Sequence, residues 1–444
     1  MTRLRSLLIA LLALPCSALA QAPVQNPTDT GTIVLRAARL IDGTGAAPIA
    51  NPIVTVRAGR IVSVERAGAQ VPTGARVVDL GDATLMPGFI DAHVHLVGRP
   101  LADPRQDNSA VRDFPAFGAI VGAENARRTL MAGFTSVRVV GSPNFDDMAL
   151  RQAIDEGYVP GPRMQNAGHS IGMTGGHCDV NGFRPGVMES DPREGIADGP
   201  EQIRAAVRYQ VKYGADVIKT CATGGVLSEG DAVGVLQLTY DELKAMVDEA
   251  SKLERKVAAH AHGTEGIKVA VRAGVSSIEH GSFLDEEGAR LMAQKGVYLV
   301  PTLMAGETVE RAAQSGRLTG LRAEKARAAA AAMRNGIKLA RAAGVPIALG
   351  TDAGVGAHGA NAHELVLMTT WGGFTPMQAI VAATSSAAKL LGWDARLGTI
   401  ASGKLADIIA VPGDPLADIG ATERVSFVMK EGRVYKNTRQ APLP

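Results

Sequence analysis

The sequence predicts an α/β protein: a TIM (β/α)8 barrel with a small β-sandwich domain formed by both chain ends. Two observations favour this fold class. Between residues 87 and 392, short apolar runs of β type alternate with helical patterns, as is typical of parallel β/α units. At the two ends, residues 31–86 and 393–437 contain short β-type runs separated by polar turns, and we expect these segments to pair into one small domain.

The barrel prediction depends on the number of β-type runs in the central region. Eight such runs in about 300 residues suit a barrel whose usual size is roughly 250 residues before insertions. The clearest helix is an alanine-rich stretch from Arg322 to Ala343, which ends at Gly344, and Pro346 begins the next extended segment. The predicted barrel strands are residues 88–92, 136–140, 163–166, 216–219, 256–260, 276–280, 297–300 and 346–350.

The first residues have the pattern of a secretory signal. Two arginines precede an apolar stretch at residues 7–14, which is too short to span a bilayer of about 30 Å. The small residues Ala18 and Ala20 suit cleavage by signal peptidase. We therefore predict a signal peptide at residues 1–20 and a periplasmic or secreted protein, with no other membrane segment.

Charge and cysteine content narrow the function classes. Signal removal takes away two arginines and no acidic residue, so 46 basic side chains fall to 44, against 44 acidic ones. The net charge is therefore near zero, and no dense cluster of lysines and arginines accompanies it. The sequence thus gives no indication of a nucleic-acid partner. Only Cys178 and Cys221 remain after cleavage, and one possible disulfide cannot hold a chain this long together. The fold must therefore depend on core packing.

The first predicted barrel strand ends in a pair of histidines. His93 and His95 are two residues apart on an extended segment, so both rings point to the same side and can converge on one metal ion. The carboxyl ends of barrel strands are also where this architecture places its chemistry. Taken alone, the pair favours a polar turn after a strand over a metal site.

Lys219 strengthens the case for metal. It ends an apolar run at residues 215–218, where an ammonium group would be buried unless it is paired or chemically altered. A neutral lysine can take up carbon dioxide to become a carbamate, whose two oxygens can bridge two cations. The alternative is a lysine paired with a nearby carboxylate.

The spacing of later residues matches successive β/α units. His260 lies 41 residues after Lys219, and His280 lies 20 residues after His260. Asp352 follows 72 residues later, which is the length of two units. Together with the first-strand pair, these positions predict a metal site at one rim of the barrel, with ligands from strands 1, 4, 5, 6 and 8. His262 also faces that rim and could replace His260 as a ligand, but we expect it to contact substrate.

The segments that carry these residues resemble the amidohydrolase superfamily, closest to its imidazolonepropionase-like, Xaa-Pro dipeptidase branch. The chain also resembles the secreted bacterial amidohydrolases that cleave ochratoxin A. The likeness covers nearly the whole chain after the signal peptide. The matching segments are PGFIDAHVHL at 87–96, VIK at 217–219, HAHG at 260–263, SIEHG at 277–281, GTDAG at 350–354 and GKLADI at 403–408.

The resemblance implies a site with two divalent metal ions, most often zinc. One ion would be held by His93, His95 and Asp352, the other by His260 and His280, with an N-carboxylated Lys219 bridging them.

Further residues are assigned roles around this expected metal pair. Asp352 can take a proton from the attacking water and pass it to the leaving amine. His169 and His177 lie in a glycine-rich segment after the third strand and could stabilise an oxyanion or bind a substrate carboxylate. They could equally be solvated loop residues. We interpret His358 and His363 as solvent-facing.

We therefore expect a hydrolase that removes a C-terminal amino acid from N-acyl amino acids or dipeptides. Ochratoxin A, which would yield ochratoxin alpha and phenylalanine, is one candidate substrate. The alternatives are a cyclic amidohydrolase, a lactonase or a deaminase, although mononuclear deaminases of this superfamily lack the lysine at the position of Lys219. A periplasmic binding or storage protein without turnover is a third class. The family also implies a homo-oligomer.

Overall fold

A computed structural model describes residues 31–438, so the predicted signal peptide lies outside the described residues. Short β-strands at both ends of this range enclose a long α/β region. The strands are β1 Thr32–Arg36, β2 Arg39–Leu40, β3 Ile49–Ala50, β4 Ile53–Arg57, β5 Arg60–Glu65, β6 Arg76–Asp79, β7 Ala83–Pro87, β8 Phe89–Val94, β9 Phe134–Val139, β10 Arg163–Asn166, β11 Val217–Cys221, β12 Lys256–Ala261, β13 Ser277–His280, β14 Tyr298–Val300, β15 Ile408–Pro412, β16 Phe427–Lys430 and β17 Arg433–Asn437.

Helices follow most strands of the central region, and their ends carry ordinary capping signals. Thr239 and Glu242 form a reciprocal capping box at the start of α5, and α7 ends at Gly296, whose φ of 66° is left-handed. The α-helices are α1 Ser109–Arg112, α2 Phe117–Met131, α3 Asp146–Asp155, α4 Pro200–Lys212, α5 Tyr240–Lys252, α6 Thr264–Ala273, α7 Glu286–Lys295, α8 Leu303–Gln314, α9 Gly320–Ala342, α10 His363–Thr370, α11 Pro376–Val381 and α12 Ala387–Leu391. Shorter helices span Gln106–Asn108, Pro143–Phe145, Ala382–Ser386 and Ile419–Arg424.

The central strands form two parallel sheets, with the orders β10-β9-β8 and β11-β12-β13-β14. Single parallel bridges continue these sheets: Ile171 pairs with Thr220, Leu299 with Ile347, and Val94 with Ala353. The predicted regular strand at residues 346–350 was wrong, because this segment forms only the single bridge of Ile347 and no ladder. Its backbone is taken up by other hydrogen bonds, among them one from the Ala92 N–H to the Leu349 carbonyl.

The strands near the chain ends form two further sheets. One has the order β5-β4-β1-β6, and the other has the order β17-β16-β15-β7-β2-β3. The second sheet contains strands from both ends, because β15 pairs antiparallel with β7. A single buried apolar cluster takes Ile33 and Leu35 from the first sheet and Phe427 and Met429 from the second. The two sheets therefore pack against each other through apolar side chains.

The arrangement of the parallel strands determines where chemistry collects. His93, His260 and His280 lie in the carboxyl-terminal halves of β8, β12 and β13, and Lys219 is the central residue of β11. Neighbouring parallel strands end at the same edge, so these four side chains meet there. Within residues 31–438, no helix is both long and apolar enough to cross a membrane.

Candidate metal centre

Two groups of side chains at this edge, all buried except the partly exposed His95, have the geometry of metal ligands. His93, His95 and Asp352 bring one ligand atom each to within 4.8 Å of one another. The second group meets the same distance limit and consists of His260, His262 and His280.

In the first group, the imidazole nitrogens are oriented for coordination. His93 Nδ1 contacts Glu279 Oε2 at 2.7 Å, and His95 Nδ1 contacts the Gly141 carbonyl at 3.1 Å. Both acceptors require a hydrogen on Nδ1, so each Nε2 keeps its lone pair. These Nε2 atoms lie 3.6 and 3.4 Å from Asp352 Oδ1.

In the second group, each histidine is either supported by a hydroxyl or left without a partner. His262 Nδ1 is 2.6 Å from Ser282 Oγ, and His280 Nδ1 is 2.7 Å from Thr302 Oγ1. His260 Nε2 is buried and makes no hydrogen bond to any residue in the described range. The sequence placed His262 at the substrate, whereas the structure brings it into the same group as His260 and His280.

Lys219 is buried beside both groups. The residue is 4% exposed, and its amine has neither a hydrogen bond nor an ion pair within 4.0 Å to a residue between 31 and 438. Burial lowers its pKa to about 8, despite the opposing charges of Glu279 and Asp352. Burial also lowers the pKa of His93 and His280, and the Lys219 charge lowers both further. The expected alternative of a lysine paired with a carboxylate is thus absent from the described structure.

Asp352 combines an unusual backbone with an unpartnered oxygen. Its φ is 55°, and neighbouring His280 and Thr302 have φ values of 71° and 50°. Such conformations cost energy in residues other than glycine and concentrate at functional sites. Burial raises the pKa of Asp352 to about 7, and its Oδ1 is buried without a hydrogen-bond partner in the described residues.

The donor set fits divalent cations. Imidazole nitrogens and carboxylate oxygens are ordinary zinc ligands. Unpartnered buried polar atoms are costly in a protein interior, and His260 Nε2 and Asp352 Oδ1 both point to a missing partner. The residues present could therefore hold divalent metal.

Two cavities open onto the groups. The larger has a volume of about 610 Å³, and its wall includes His95, His169 and Lys219. The smaller, of about 60 Å³, lies against the second histidine group and Asp352. Both are bounded by His177 and His260, whose rings stack with centroids 4.2 Å apart. The smaller cavity is otherwise apolar, lined mainly by Val226, Leu227, Ala305, Gly306, Val309 and Met333.

Comparison with known proteins identifies the family. The model of the amidohydrolase family matches residues 84–435. The chain belongs to the amidohydrolase family. Ochratoxinase from Aspergillus niger is 34% identical over 94% of this chain and 90% of its own length. A solved Xaa-Pro dipeptidase with methionine bound in its active site superimposes with a TM-score of 0.87 at 37% identity, covering 92% of this chain and 100% of that one. The solved A. niger ochratoxinase superimposes with a TM-score of 0.80 at 32% identity, covering 92% and 96%.

This amidohydrolase is thus a hydrolase that acts on amide bonds. The two glycine-loop histidines differ in position. The ring of His177 stacks on His260 of the second histidine group, and a disulfide between Cys178 and Cys221 joins the loop of His177 to β11. His169 lies on the cavity wall, with its ring against Phe145 at 4.6 Å, and belongs to neither group.

The expectation for His358 was wrong. Its side chain is buried next to the backbone of His95, and burial lowers its pKa to about 4. His363 is partly exposed and contacts two glutamates, Glu307 and Glu423.

Sequence reasoning missed the residues that support the ligands. Asp91 accepts hydrogen bonds from Thr351 Oγ1 at 2.7 Å and Asn361 Nδ2 at 2.8 Å, which fixes the segment that carries Asp352. Glu279 bonds the buried Arg138 as well as His93. A charged residue inside an apolar β-type run was the available signal, since Asp91 and Glu279 each precede a predicted ligand by one or two positions.

Proposed function

We propose that this amidohydrolase holds two divalent metal ions, which its donor set assigns as zinc, and cleaves a C-terminal amino acid from N-acyl amino acids or dipeptides. The observation that carries the proposal is the pair of donor groups, His93–His95–Asp352 and His260–His262–His280, beside Lys219, whose amine has no ion-pair partner among the described residues.

In this proposal, His93, His95 and Asp352 would hold one ion, and His260 and His280 would hold the other. A carbamate on Lys219 would bridge the two. The lowered pKa of the Lys219 amine and the absence of a hydrogen-bond partner for it among residues 31–438 support this, since only a neutral amine takes up carbon dioxide. His262 either joins the second ion or contacts substrate. When bound, such a metal pair supplies an activated water and polarises the scissile carbonyl.

The residues of the chain contribute proton transfer and binding. Asp352 Oδ1 is buried at the site without a hydrogen-bond partner among residues 31–438, and a carboxylate positioned in this way can take up a proton and release it again. We assign it the proton that passes to the leaving amine. His177 and His169 lie where they can contact the reacting amide and the more distant part of a substrate, respectively.

Substrate class is supported by cavity size and by the relatives. A volume of about 610 Å³ accommodates a bulky acyl group. The dipeptidase relative has an amino acid in its active site, and the A. niger relative is named for ochratoxin. Ochratoxin A, cleaved to ochratoxin alpha and phenylalanine, is therefore a candidate. Cyclic amide, lactone and deaminase chemistry are the competing possibilities.

We further propose the larger-scale organisation. The two parallel sheets close into a TIM barrel over residues 87–392 through their single bridges, and residues 31–86 with 393–437 form a β-sandwich domain. The chain is periplasmic or secreted after loss of residues 1–20 and forms a homo-oligomer. The Cys178–Cys221 disulfide supports an oxidising compartment.

One experiment tests the chemistry. Purified protein is analysed for metal and assayed by mass spectrometry on N-acyl amino acids, Xaa-Pro dipeptides, ochratoxin A and lactones, with and without chelator. We expect two ions per chain, chelator-sensitive amide cleavage, and loss of both in Lys219→Ala. Lys256→Ala, which removes a lysine at the opposite end of the neighbouring strand, is the matched control. Fewer than two ions with full activity in Lys219→Ala would overturn the binuclear proposal, and lactone cleavage alone would overturn the substrate class.

A further inference from the structure

A chain of polar side chains, none of them a member of either ligand group, extends from Nδ1 of His177. His177 Nδ1 is 2.9 Å from Ser228 Oγ, and Ser228 Oγ donates to Asp231 Oδ1 at 2.7 Å. Lys325, which is 4% exposed on α9, donates to the same oxygen at 3.0 Å. The imidazole is therefore connected to a buried ion pair through one hydroxyl.

The same carboxylate also supports the backbone of His177. Gln237 Nε2 donates to Asp231 Oδ2 at 3.0 Å, and Gln237 Oε1 accepts from the His177 N–H at 2.9 Å. Together with the Cys178–Cys221 disulfide, this second path already holds the loop in place. The Ser228 path contacts only the ring, so what it adds is the orientation of the ring and the location of its hydrogen.

The hydrogen-bond directions follow from the ionisation of Asp231. Burial raises its pKa, but hydrogen bonds from Ser228 and Lys325 outweigh burial and hold that pKa below its ordinary value. An ionised carboxylate only accepts, so the single hydrogen of the Ser228 hydroxyl points to Asp231. The hydroxyl oxygen then has only lone pairs to offer Nδ1, and Nδ1 must carry a hydrogen. In a neutral ring, Nε2 is left as an acceptor.

We propose that Asp231 is a positioning residue that acts through Ser228 to hold His177 with its hydrogen on Nδ1, so that Nε2 offers a lone pair to an N–H or O–H group of the substrate. Nε2 makes no hydrogen bond to the described residues, and the ring borders both cavities. This inference rests on the proposed amide hydrolysis, and it makes His177 a hydrogen-bond acceptor, whereas stabilising an oxyanion or binding a substrate carboxylate, as the sequence predicts, would require it to donate. The scissile amide N–H is the group we expect it to recognise.

A double-mutant cycle on the metal-loaded enzyme at pH 8 tests whether Asp231 acts through His177. Asp231→Asn allows the amide to donate to Ser228, which reverses the hydroxyl and moves the imidazole hydrogen to Nε2. We expect kcat/KM to fall about 10- to 100-fold, as for other residues that orient a site histidine. In a His177→Ala background, the same change should alter kcat/KM less than about twofold, because coupled residues are not additive.

Further variants separate positioning from folding. Ser228→Ala should reproduce the loss, and Ser228→Thr, which keeps the hydroxyl, should restore most of it. Glu310→Gln is the matched control, because it removes a carboxylate from another ion pair to α9, with Arg334, away from the cavities. Equal effects of Asp231→Asn with and without the His177 ring would overturn the proposal.

A second measurement does not need turnover. Diethyl pyrocarbonate acylates only an imidazole nitrogen with a free lone pair, and peptide mass spectrometry of the metal-loaded protein reports the rate at His177. We expect modification in the wild type and a several-fold lower rate in Asp231→Asn and Ser228→Ala. The proposal is overturned if the rate of His177 modification is unchanged in both variants. It is also overturned if His177 of the wild type reacts only after metal removal, because His177 would then itself be a metal ligand. If no amide is cleaved, the proposed function fails, and these rates alone decide the inference.

Discussion

Replacement of Glu279 by glutamine should weaken both the fold and the metal site. Glu279 is fully buried, and its two oxygens contact Arg138 Nη2 at 2.8 Å and His93 Nδ1 at 2.7 Å. Glutamine keeps the volume but leaves the Arg138 charge, which is 2% exposed, without a counter-charge. Removal of one member of a buried ion pair costs about 3–5 kcal/mol. Loss of the carboxylate behind a metal-binding histidine lowers metal affinity about 10- to 100-fold.

Two assays separate these effects. Urea unfolding of the metal-free protein measures stability, and competition with a chromogenic chelator measures metal affinity. Arg138→Met should lose comparable stability but less affinity, because Glu279 remains on His93. Glu310→Gln removes a carboxylate from a partly exposed pair, which contributes only about 0–1 kcal/mol. If Glu279→Gln leaves both the unfolding midpoint and the metal affinity unchanged, the supporting role assigned to this carboxylate is refuted.

Three other predictions concern the disulfide, the smaller cavity and a buried acid. Replacing Cys178 and Cys221 by serine opens a loop of 43 residues and should lower the free energy of unfolding, measured in denaturant, by about 4 kcal/mol. It should also lower kcat/KM, because His177 is adjacent to Cys178. A variant with the wild-type free energy of unfolding and the wild-type kcat/KM would contradict this. Met333→Ala should enlarge the cavity of about 60 Å³ and so raise kcat/KM for substrates with a bulky apolar group on one side of the amide relative to substrates with a small one. If this ratio of kcat/KM values is unchanged across a substrate series, the cavity is not a binding site. Burial raises the pKa of Glu364 to about 8, so the folded state holds the proton of this side chain more tightly than the unfolded chain does. The free energy of unfolding should therefore fall by up to about 5 kcal/mol as the pH rises from about 4.5 to about 8. Unfolding midpoints across that range should slope less in Glu364→Gln, and an identical slope would argue against the shift.

Several features were readable from local sequence because they depend on period and spacing. The two-residue period of a strand puts His93 and His95 on one side, and both now lie with Asp352 in one ligand group. Lysine at the end of an apolar run predicted burial of Lys219, and its side chain is buried. These inferences needed only the geometry of one strand and the length of one β/α unit.

Other features required the tertiary structure because they join residues far apart in the chain. Arg138 and Glu279 are separated by 141 positions, and Asp231 and Lys325 by 94, so no local pattern indicates either pair. The burial of His358 is of the same kind, since His95 and Arg128, the residues that act on its pKa, lie far away in the sequence.

For this amidohydrolase, the sequence by itself determined the family, the α/β class and which side chains collect at the strand ends, because motif, period and spacing are local properties. Only the tertiary structure decided that His262 joins the second histidine group and that residues 346–350 form a single bridge rather than a ladder. It also decided that the Ser228 hydroxyl links the His177 ring to Asp231. Those outcomes depend on which distant backbone and side-chain groups satisfy one another's hydrogen bonds once the chain is packed.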